Sequence, residues 1–404
     1  MDAKSLGLTI AAFRKKCGLT QDKLAKKLNI SNKTVSRWES GLGYPEITQL
    51  PVLATVFGIT VDHLLNGERK GITVAGNLLV DAVKSVEVYP ECGMLASITN
   101  VKKAVGGCAG NTGIDLAKLD KSLPVSVIGK IGDDESGRFV LSSISRYGIN
   151  CDNVTVSDSS FTSFSDVISQ PDGERTFFHA RGANAEFCPG DINISSLGCS
   201  IFHIGYILLL DEFDKLDTQY GTVMARFLHQ VQQKGIKTSI DVVSNSTADY
   251  KQKIIPALKY CDYVIINEIE ASRLTDLEPY GINGRLNLNN IRLTMEYMAR
   301  QGVRSKVVVH CKTAGFALDV PTGQFTVIPS LDLPKSIIKG SVGAGDAFCA
   351  GCLYALYNNF SDKRMLEFAS SVAAISLTSE SATDAIVQKS EIEAFALKYG
   401  RKKL

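Results

Sequence analysis

Residues 343–348 read Gly-Ala-Gly-Asp-Ala-Phe, and this stretch says more about the fold and its chemistry than any other. Small residues that lead into a helix leave backbone N–H groups uncovered, and a helix N-terminus carries partial positive charge. A turn made by Gly343, Ala344 and Gly345 can therefore hold a transferring phosphoryl group. Asp346 stands at the rim of this anion site, where a carboxylate can accept a proton from a hydroxyl nucleophile.

The chain has 404 residues, enough for two or three domains. Its hydrophobic content of 45% and charged content of 21% are ordinary for a soluble globular protein. The net charge of +2 is unevenly placed, because residues 1–70 carry +5 and the remainder carries −3. A small basic head on a mildly acidic body indicates nucleic-acid binding by the head alone.

The ten cysteines form no recognisable framework, and the one close pair is Cys349 with Cys352. The pair is either a redox or metal pair or two small apolar residues on a helix. We favour the second interpretation, because the sequence contains no second pair at metal-ligand spacing. No direct ligation of a metal by the protein is therefore expected. Free thiols, no signal peptide and no apolar run of membrane length predict a cytoplasmic protein without a membrane partner.

Residues 1–66, the head, have apolar residues at helical spacing and predict a compact bundle of short helices. Gly18 ends the first helix, Thr20 can cap a second helix that runs to about Leu28, and Ser31 can cap a third that runs through Ser40. Two short helices joined by a tight turn form a helix-turn-helix.

The head resembles the lambda-repressor-like (Xre-type) DNA-binding domain in residues 19–25, Leu-Thr-Gln-Asp-Lys-Leu-Ala, and 35–41, Val-Ser-Arg-Trp-Glu-Ser-Gly. The resemblance implies that the third helix enters the major groove of double-stranded DNA, with Trp38 in the core. The alternative is a scaffold for protein contacts with a merely solvated polar face. The residues expected to face bases or phosphates are Gln21, Asn32, Lys33, Thr34, Ser36 and Arg37.

Residues 67–71 form a short polar linker, and residues 72–404 form the body. Short β-branched strands, such as residues 125–131, alternate there with helical stretches, such as residues 218–234. This alternation predicts a mostly parallel sheet covered by helices on both faces. Residues at about 83–101 and 161–179 break this pattern. We expect them to form antiparallel strands of a lid over the carboxyl ends of the main sheet, where α/β proteins bind ligands.

The body lacks a Walker A sequence, a spaced GxGxxG, HExxH and GxSxG, which excludes P-loop, Rossmann, zincin and serine-hydrolase interpretations. Five motifs in order resemble the ribokinase/PfkB family of sugar kinases over residues 71–400. The resemblance implies a ribokinase-like α/β domain and a carbohydrate kinase that uses ATP and Mg²⁺. The motifs are Gly76-Asn77 with Asp81, residues 106–111, residues 128–137, residues 267–270 and residues 343–346.

On this resemblance, one group of residues binds the sugar. Asp81 accepts hydrogen bonds from sugar hydroxyls, and Asn111 donates and accepts. Gly106 and Gly107 let the main chain approach the sugar. The alternative for this segment is a helix-entry turn that Asn111 caps, and both interpretations can hold together.

A second group of residues serves the nucleotide. Asn267 and Glu270 organise Mg²⁺ and phosphate through water, with a surface helix start as the alternative. Asp346 is the base, beside the anion site of Gly343, Ala344 and Gly345. Residues 310–315, including Lys312 and Gly315, surround the adenine together with residues 369–383.

One departure from the family pattern lies at Gly340-Ser341-Val342, where relatives usually have an acid before the glycine-rich turn. That acid often shapes a monovalent-cation site, so cation activation is in doubt. The sequence predicts an ATP-dependent sugar kinase fused to a DNA-binding domain, and hence a sugar-responsive transcription regulator. The alternative is a regulator whose kinase-like body only senses a ligand. We also expect a homodimer, because family members often pair through lid strands and lambda-type domains usually read two half-sites.

Overall fold

A computed structural model describes residues 2–59, 61–66, 70–170, 175–244, 249–282 and 284–404. These residues group into two compact units, Met1–Lys70 and Gly71–Leu404. The predicted boundary at residue 66 and the linker at 67–71 stay predictions, since residues 67–69 lie outside the described part.

The head is helical, as its sequence predicts. Its helices are α1 (Ala3–Lys16), α2 (Gln21–Leu28), α3 (Asn32–Glu39), α4 (Gln49–Phe57) and α5 (Val61–Asn66). The side chain of Thr20 accepts a hydrogen bond from the N–H of Lys23 at 3.2 Å, and that of Ser31 accepts from Thr34 at 3.1 Å, so both predicted caps are confirmed. Asn29 ends α2 in the left-handed region at φ 54°. Trp38 is buried in the core with Ile10 and Leu24, as expected.

The body alternates strands and helices. In chain order its elements are β1 (Ile72–Gly76), β2 (Leu79–Val86), β3 (Ile98–Gly106), α6 (Cys108–Leu119), β4 (Val125–Ile128), β5 (Lys130–Gly132), α7 (Glu135–Ser145), β6 (Thr155–Ser157), β7 (Phe164–Ser169), β8 (Arg175–Ala180), β9 (Ile201–Ile207), β10 (Leu216–Asp217), β11 (Gly221–Thr222), α8 (Val223–Gln233), β12 (Lys237–Val242), α9 (Tyr250–Leu258), β13 (Tyr263–Asn267), α10 (Glu268–Ser272), α11 (Leu288–Arg300), β14 (Lys306–His310), β15 (Ala314–Asp319), β16 (Gln324–Pro329), α12 (Ala344–Tyr357), α13 (Asp362–Ser376) and α14 (Lys389–Ala396).

The main sheet has the order β16-β15-β14-β13-β12-β9-β1-β4. Strands β4, β1, β9, β12, β13 and β14 are parallel. At one edge of this sheet, β15 pairs antiparallel with β14, and β16 pairs antiparallel with β15. Helices α6, α7, α12 and α13 contribute to one apolar cluster, and α8, α9 and α11 contribute to another. The predicted class, a mostly parallel sheet covered by helices on both faces, is confirmed. In the described part of the chain, no helix is both long and apolar enough to cross a bilayer.

A separate four-stranded sheet, the lid sheet, has the order β3-β2-β7-β8. The boundaries of these strands differ from those of the predicted segments. Strand β2 already starts at Leu79, and residues 87–97 lie outside the strands. Residues 171–174 of the second predicted segment lie outside the described residues. The pairs β2–β3 and β7–β8 are antiparallel, but β2 and β7 are parallel, so the expectation of purely antiparallel strands is wrong. The connection from β3 to β7 runs through α6 and α7, and such a long crossover allows parallel pairing.

Two other elements differ from the sequence-based prediction. The strand expected over 125–131 is interrupted at Gly129, where a side chain would meet the carbonyl oxygen of Gly76 at 2.7 Å. Past this break, β5 leaves the main sheet and pairs with β6. The helix expected from Thr218 begins at Val223, because the Thr222 side chain caps the N–H of Ala225 at 3.1 Å.

Candidate functional site

The first turn of α12 lies at the residues where the sequence predicts an anion site. Gly343 precedes the helix in the left-handed region at φ 76°, and a side chain there would place Cβ 2.3 Å from Cβ of Ala382. Only glycine fits both constraints. Within the described residues, no side chain caps this helix. The N–H of Ala344 donates to the Ser341 carbonyl oxygen at 3.3 Å, whereas the N–H groups of Gly345 and Asp346 and the partial positive charge of the helix can meet an anion.

Asp346 is buried in this first turn and is held by two donors from distant parts of the chain. The Tyr206 hydroxyl donates to Oδ1 at 2.6 Å, and the Asn111 Nδ2 donates to Oδ2 at 2.9 Å. Strand β9, helix α6 and helix α12 each contribute one member of this group. The sequence analysis missed Tyr206. Its position near the carboxyl end of a buried strand of the parallel sheet was the available signal.

The pKa values of this group fit a base and a donor. Burial raises the pKa of Asp346 to about 6, although the hydrogen bonds from Tyr206 and Asn111 act in the opposite direction. Burial and the nearby Asp346 charge raise the pKa of Tyr206 well above its ordinary value, so the phenol keeps its proton. At neutral pH the carboxylate is therefore charged and can accept a proton.

The predicted sugar residues lie where the lid sheet joins α6. The Asp81 carboxylate stands over Gly106, where an added Cβ would be 2.2 Å from Oδ2. Gly107 has φ 83°, and an added Cβ would be 2.3 Å from the Asn77 carbonyl oxygen. Close packing against neighbouring atoms therefore explains why both positions are glycine. Asn111 lies inside α6, which begins at Cys108, so it does not cap the helix as the alternative supposed.

The space beside Asp81 is small. The cavity that Asp81 lines with Val342 and Ser381 measures about 20 Å³, far below the volume of a ligand site. A cleft of about 840 Å³ lies next to it, between the lid sheet and residues 338–342. Asp81 itself is half-buried.

A pocket of about 510 Å³ opens at the start of α12. Ala344 and Gly345 line it, and the nearest atom to an added Cβ at Gly345 is His310 Cε1 at 3.7 Å, so this glycine faces open space. Burial lowers the pKa of His310 to about 4, which keeps the imidazole neutral. The other lining residues include Asn267, Lys312, Phe348, Ser370, Ala373, Ala374 and Leu377.

The residues predicted around the adenine divide into two groups. Lys312 and the α13 part of residues 369–383 line the pocket. Gly315 instead pairs with His310 inside the β14–β15 ladder, and an added Cβ would lie 3.2 Å from both Leu366 and Phe348. Gly315 therefore supports the pocket from behind, and its contact with a nucleotide stays a prediction.

Asn267 and Glu270 form a reciprocal cap at the start of α10. The Asn267 Oδ1 accepts from the N–H of Glu270 at 2.8 Å, and the Glu270 Oε2 accepts from the N–H of Asn267 at 2.9 Å. The Ser244 hydroxyl donates to the other Glu270 oxygen at 2.8 Å. This is a helix start, but Glu270 is only 6% exposed and is not a surface residue. Burial raises its pKa to about 7.

In the head, α3 presents a polar face opposite its buried Val35 and Trp38. Asn32, Lys33, Ser36 and Arg37 lie on it, and all four are exposed. Thr34 is half-buried, and its hydroxyl lies 2.8 Å from that of Ser31. The Gln21 Nε2 donates to Glu39 at 2.8 Å, and Arg14 also pairs with Glu39 at 2.6 Å, so Gln21 is held at the start of α2.

The fold and this group of residues define an α/β phosphotransferase body joined to a helix-turn-helix head. Residues 70–389 match the pfkB family of carbohydrate kinases, and residues 10–64 match a helix-turn-helix family. The first match spans most of the chain, so the chain belongs to the pfkB family of carbohydrate kinases. This membership confirms the predicted enzyme class, an ATP-dependent carbohydrate kinase, and the second match confirms the predicted head.

Individual relatives are distant in sequence. The chain is 23% identical over 336 residues to a ribokinase of Schizosaccharomyces pombe, with 81% of this chain and 98% of the relative covered. It is 22% identical over 346 residues to probable fructokinase-4 of Arabidopsis thaliana, with 81% and 97% covered. The structure of Arabidopsis thaliana ribokinase complexed with ribose and ATP superposes with a TM-score of 0.67, at 19% identity and with 81% and 98% covered. This last similarity concerns the fold alone.

Proposed function

We propose that the body transfers the γ-phosphoryl group of ATP to a hydroxyl of a sugar or a sugar-like molecule, with Asp346 as the base. The observation that carries this proposal is a buried carboxylate in the first turn of an uncapped helix, bonded by Tyr206 and Asn111. Asp346 takes the hydroxyl proton while the new O–P bond forms and the bond to ADP breaks. The N–H groups at Gly345 and Asp346 stabilise the charge that develops on the phosphoryl oxygens.

The other predicted residues take roles around this centre. The 510 Å³ pocket holds the nucleotide, with Lys312 at its rim. Asp81 accepts hydrogen bonds from sugar hydroxyls. Asn111 orients Asp346 through its Nδ2. Its Oδ1 can accept a hydrogen bond from a sugar hydroxyl, since this oxygen has no partner among the described residues.

The Asn267–Glu270 pair suits an indirect role toward Mg²⁺. Each Glu270 oxygen already accepts one hydrogen bond and keeps lone-pair capacity for water. A Mg²⁺ ion usually keeps several waters, and these waters would meet Glu270 and Asn267. When bound with ATP, the ion supplies charge neutralisation of the phosphates.

The pH dependence of turnover tests the role of Asp346. Because only the ionised carboxylate accepts a proton, kcat/KM is expected to rise with pH through about 6 and to level off above it. Glu270, with a pKa of about 7, is another buried carboxyl at this edge of the sheet, and Glu270→Gln distinguishes its contribution from that of Asp346. The acid limb is expected to persist in this variant. A limb that disappears with Glu270 would contradict the assignment.

We further propose that the head binds double-stranded DNA through the exposed face of α3 and that the chain acts as a homodimeric, sugar-responsive regulator. Exposed apolar side chains on the lid strands, Val101 on β3 and Phe177 and Phe178 on β8, support pairing through the lid sheet. Two heads would then read two half-sites of one operator. Sugar or ATP would change the DNA affinity of the dimer, and DNA would change ligand affinity by the same factor.

Arg37→Ala in the full-length protein is expected to relax sequence preference at one base position, by about 1–3 kcal/mol, because arginine reads guanine through paired hydrogen bonds. Lys16→Ala, on an exposed turn of α1, is the matched control and is expected to leave the preference unchanged. Gel-shift titrations on a selected operator measure both variants. Repeating them with and without saturating sugar and ATP measures the coupling, and unchanged affinity under all conditions would contradict the regulator proposal.

A further inference from the structure

Three side chains with metal-binding atoms meet in the interior of the body, away from the nucleotide pocket. They are His203 on β9, Asp241 on β12 and Cys349 on α12, and one ligand atom of each lies within 4.8 Å of the others. Their exposed fractions are 0%, 6% and 2%. They lie far apart in the sequence, so no motif spacing indicates the group.

The charge of Asp241 lacks adequate compensation from protein groups. Its Oδ2 lies 3.5 Å from the His203 Nε2, longer than a strong N–H···O hydrogen bond. Its Oδ1 has no hydrogen-bond partner among the described residues. Burying a carboxylate costs free energy unless a cation or good donors meet it. A divalent ion beside Asp241 would meet this requirement.

Two of the separations within the group match those of ligands around one ion. The His203 Nε2 lies 3.5 Å from the Asp241 Oδ2 and 3.7 Å from the Cys349 Sγ. Zinc bonds of ordinary length at tetrahedral angles place a nitrogen about 3.4 Å from an oxygen and about 3.6 Å from a sulfur. Two of the three separations therefore fit tetrahedral coordination, and the ligand atoms of Asp241 and Cys349 lie within 4.8 Å of each other. Tetrahedral coordination by these three atoms leaves a fourth position for another ligand.

The histidine is also held in the orientation that ligation requires. Its Nδ1 lies 2.9 Å from the Ser239 hydroxyl oxygen, to which an Nδ1–H can donate. In that tautomer the Nε2 lone pair faces Asp241 and Cys349. Metal-binding histidines commonly make such a bond through the second ring nitrogen.

We propose that His203, Asp241 and Cys349 bind one Zn²⁺ ion or a similar divalent transition-metal ion. The Cys349 thiol releases its proton to solvent on binding, and its thiolate joins the neutral imidazole and the carboxylate. The ion ties β9, β12 and α12 together one helical turn after Asp346, and its role is structural. The inference does not depend on the proposed kinase chemistry. It departs from the sequence-based expectation that no protein side chain ligates a metal directly.

Metal analysis of full-length protein, dialysed against metal-free buffer and measured by plasma mass spectrometry, tests the site. Wild-type protein is expected to hold about one Zn²⁺ per chain, and Cys349→Ser is expected to lose it. Cys352→Ser is the matched control, because it removes another buried thiol from the same helix but leaves the three ligands intact. Cys352→Ser is expected to keep its metal.

Cobalt substitution of the wild-type protein provides a readout that does not depend on the variants folding. A thiolate-to-cobalt charge-transfer band is expected in wild-type protein and in Cys352→Ser, and it should be missing from Cys349→Ser. Removal of the ion by a chelator is expected to lower the Tm of wild-type protein. Wild-type protein that binds neither Zn²⁺ nor Co²⁺, or that binds cobalt without the thiolate band, would overturn the proposal. Equal metal loss from both cysteine variants would overturn it as well.

Discussion

Asp346→Asn is expected to lower kcat by about two to four orders of magnitude, because the amide keeps the shape of the carboxylate but cannot accept the hydroxyl proton. The KM for the sugar should change little, since the amide side chain would fill the same space as the carboxylate. Steady-state kinetics on the identified substrate measures both constants. Near-wild-type turnover would mean that Asp346 is not the base.

Asp214→Asn is the matched control for this experiment. Asp214 is also buried, and burial raises its pKa to about 6, but it does not line the nucleotide pocket. Its substitution is expected to leave kcat within a few-fold of wild type. An equal loss in both variants would indicate a general effect of removing a buried charge, and the assignment of Asp346 as the base would then fail.

Gly345→Ala is expected to lower kcat/KM for ATP by about two orders of magnitude while leaving Tm unchanged. An added methyl group meets no protein atom closer than 3.7 Å, so the fold accepts it. The methyl group projects into the space where the phosphoryl group would lie, and a displacement of about 1 Å is enough for such a loss.

Gly343→Ala is the comparison that separates this binding effect from a folding effect. Its Cβ would meet Cβ of Ala382 at 2.3 Å, and its φ of 76° disfavours any side chain. The free energy of unfolding is therefore expected to fall by about 2 kcal/mol or more. Thermal unfolding and nucleotide-binding calorimetry on both variants measure the difference. If Gly345→Ala binds and uses ATP normally, the phosphates do not lie beside Gly345.

The sequence predicts α12 and its preceding turn well, because local chemistry determines both. Gly343 is glycine because its φ of 76° disfavours a side chain. The small residues Ala344 and Gly345 follow it where the helix lines the pocket. The parallel sheet can also be predicted from the sequence, because buried β-branched strands alternate with amphipathic helices. These features depend on neighbours in the chain, so a single sequence is enough to infer them.

Features that depend on contacts between distant parts of the chain cannot be predicted from a single sequence. Tyr206 reaches Asp346 only because the fold brings the carboxyl end of β9 to the first turn of α12, and no motif links the two residues. Asn111 is predicted to face the sugar, but its amide also donates a hydrogen bond to Asp346. The parallel pairing of β2 with β7 likewise results from a crossover whose path the strand patterns do not specify.

Product analysis by mass spectrometry directly tests whether this protein transfers a phosphoryl group from ATP to a sugar hydroxyl. Purified full-length protein is incubated with ATP, Mg²⁺ and a panel of sugars and nucleosides, beside Asp346→Asn. We expect wild-type protein to convert at least one panel member to its phosphate ester and to form an equal amount of ADP. Asp346→Asn is expected to form neither product at a comparable rate. A wild-type protein that binds a sugar and ATP by calorimetry, yet forms no phosphorylated product, would contradict the account and support a ligand-sensing regulator.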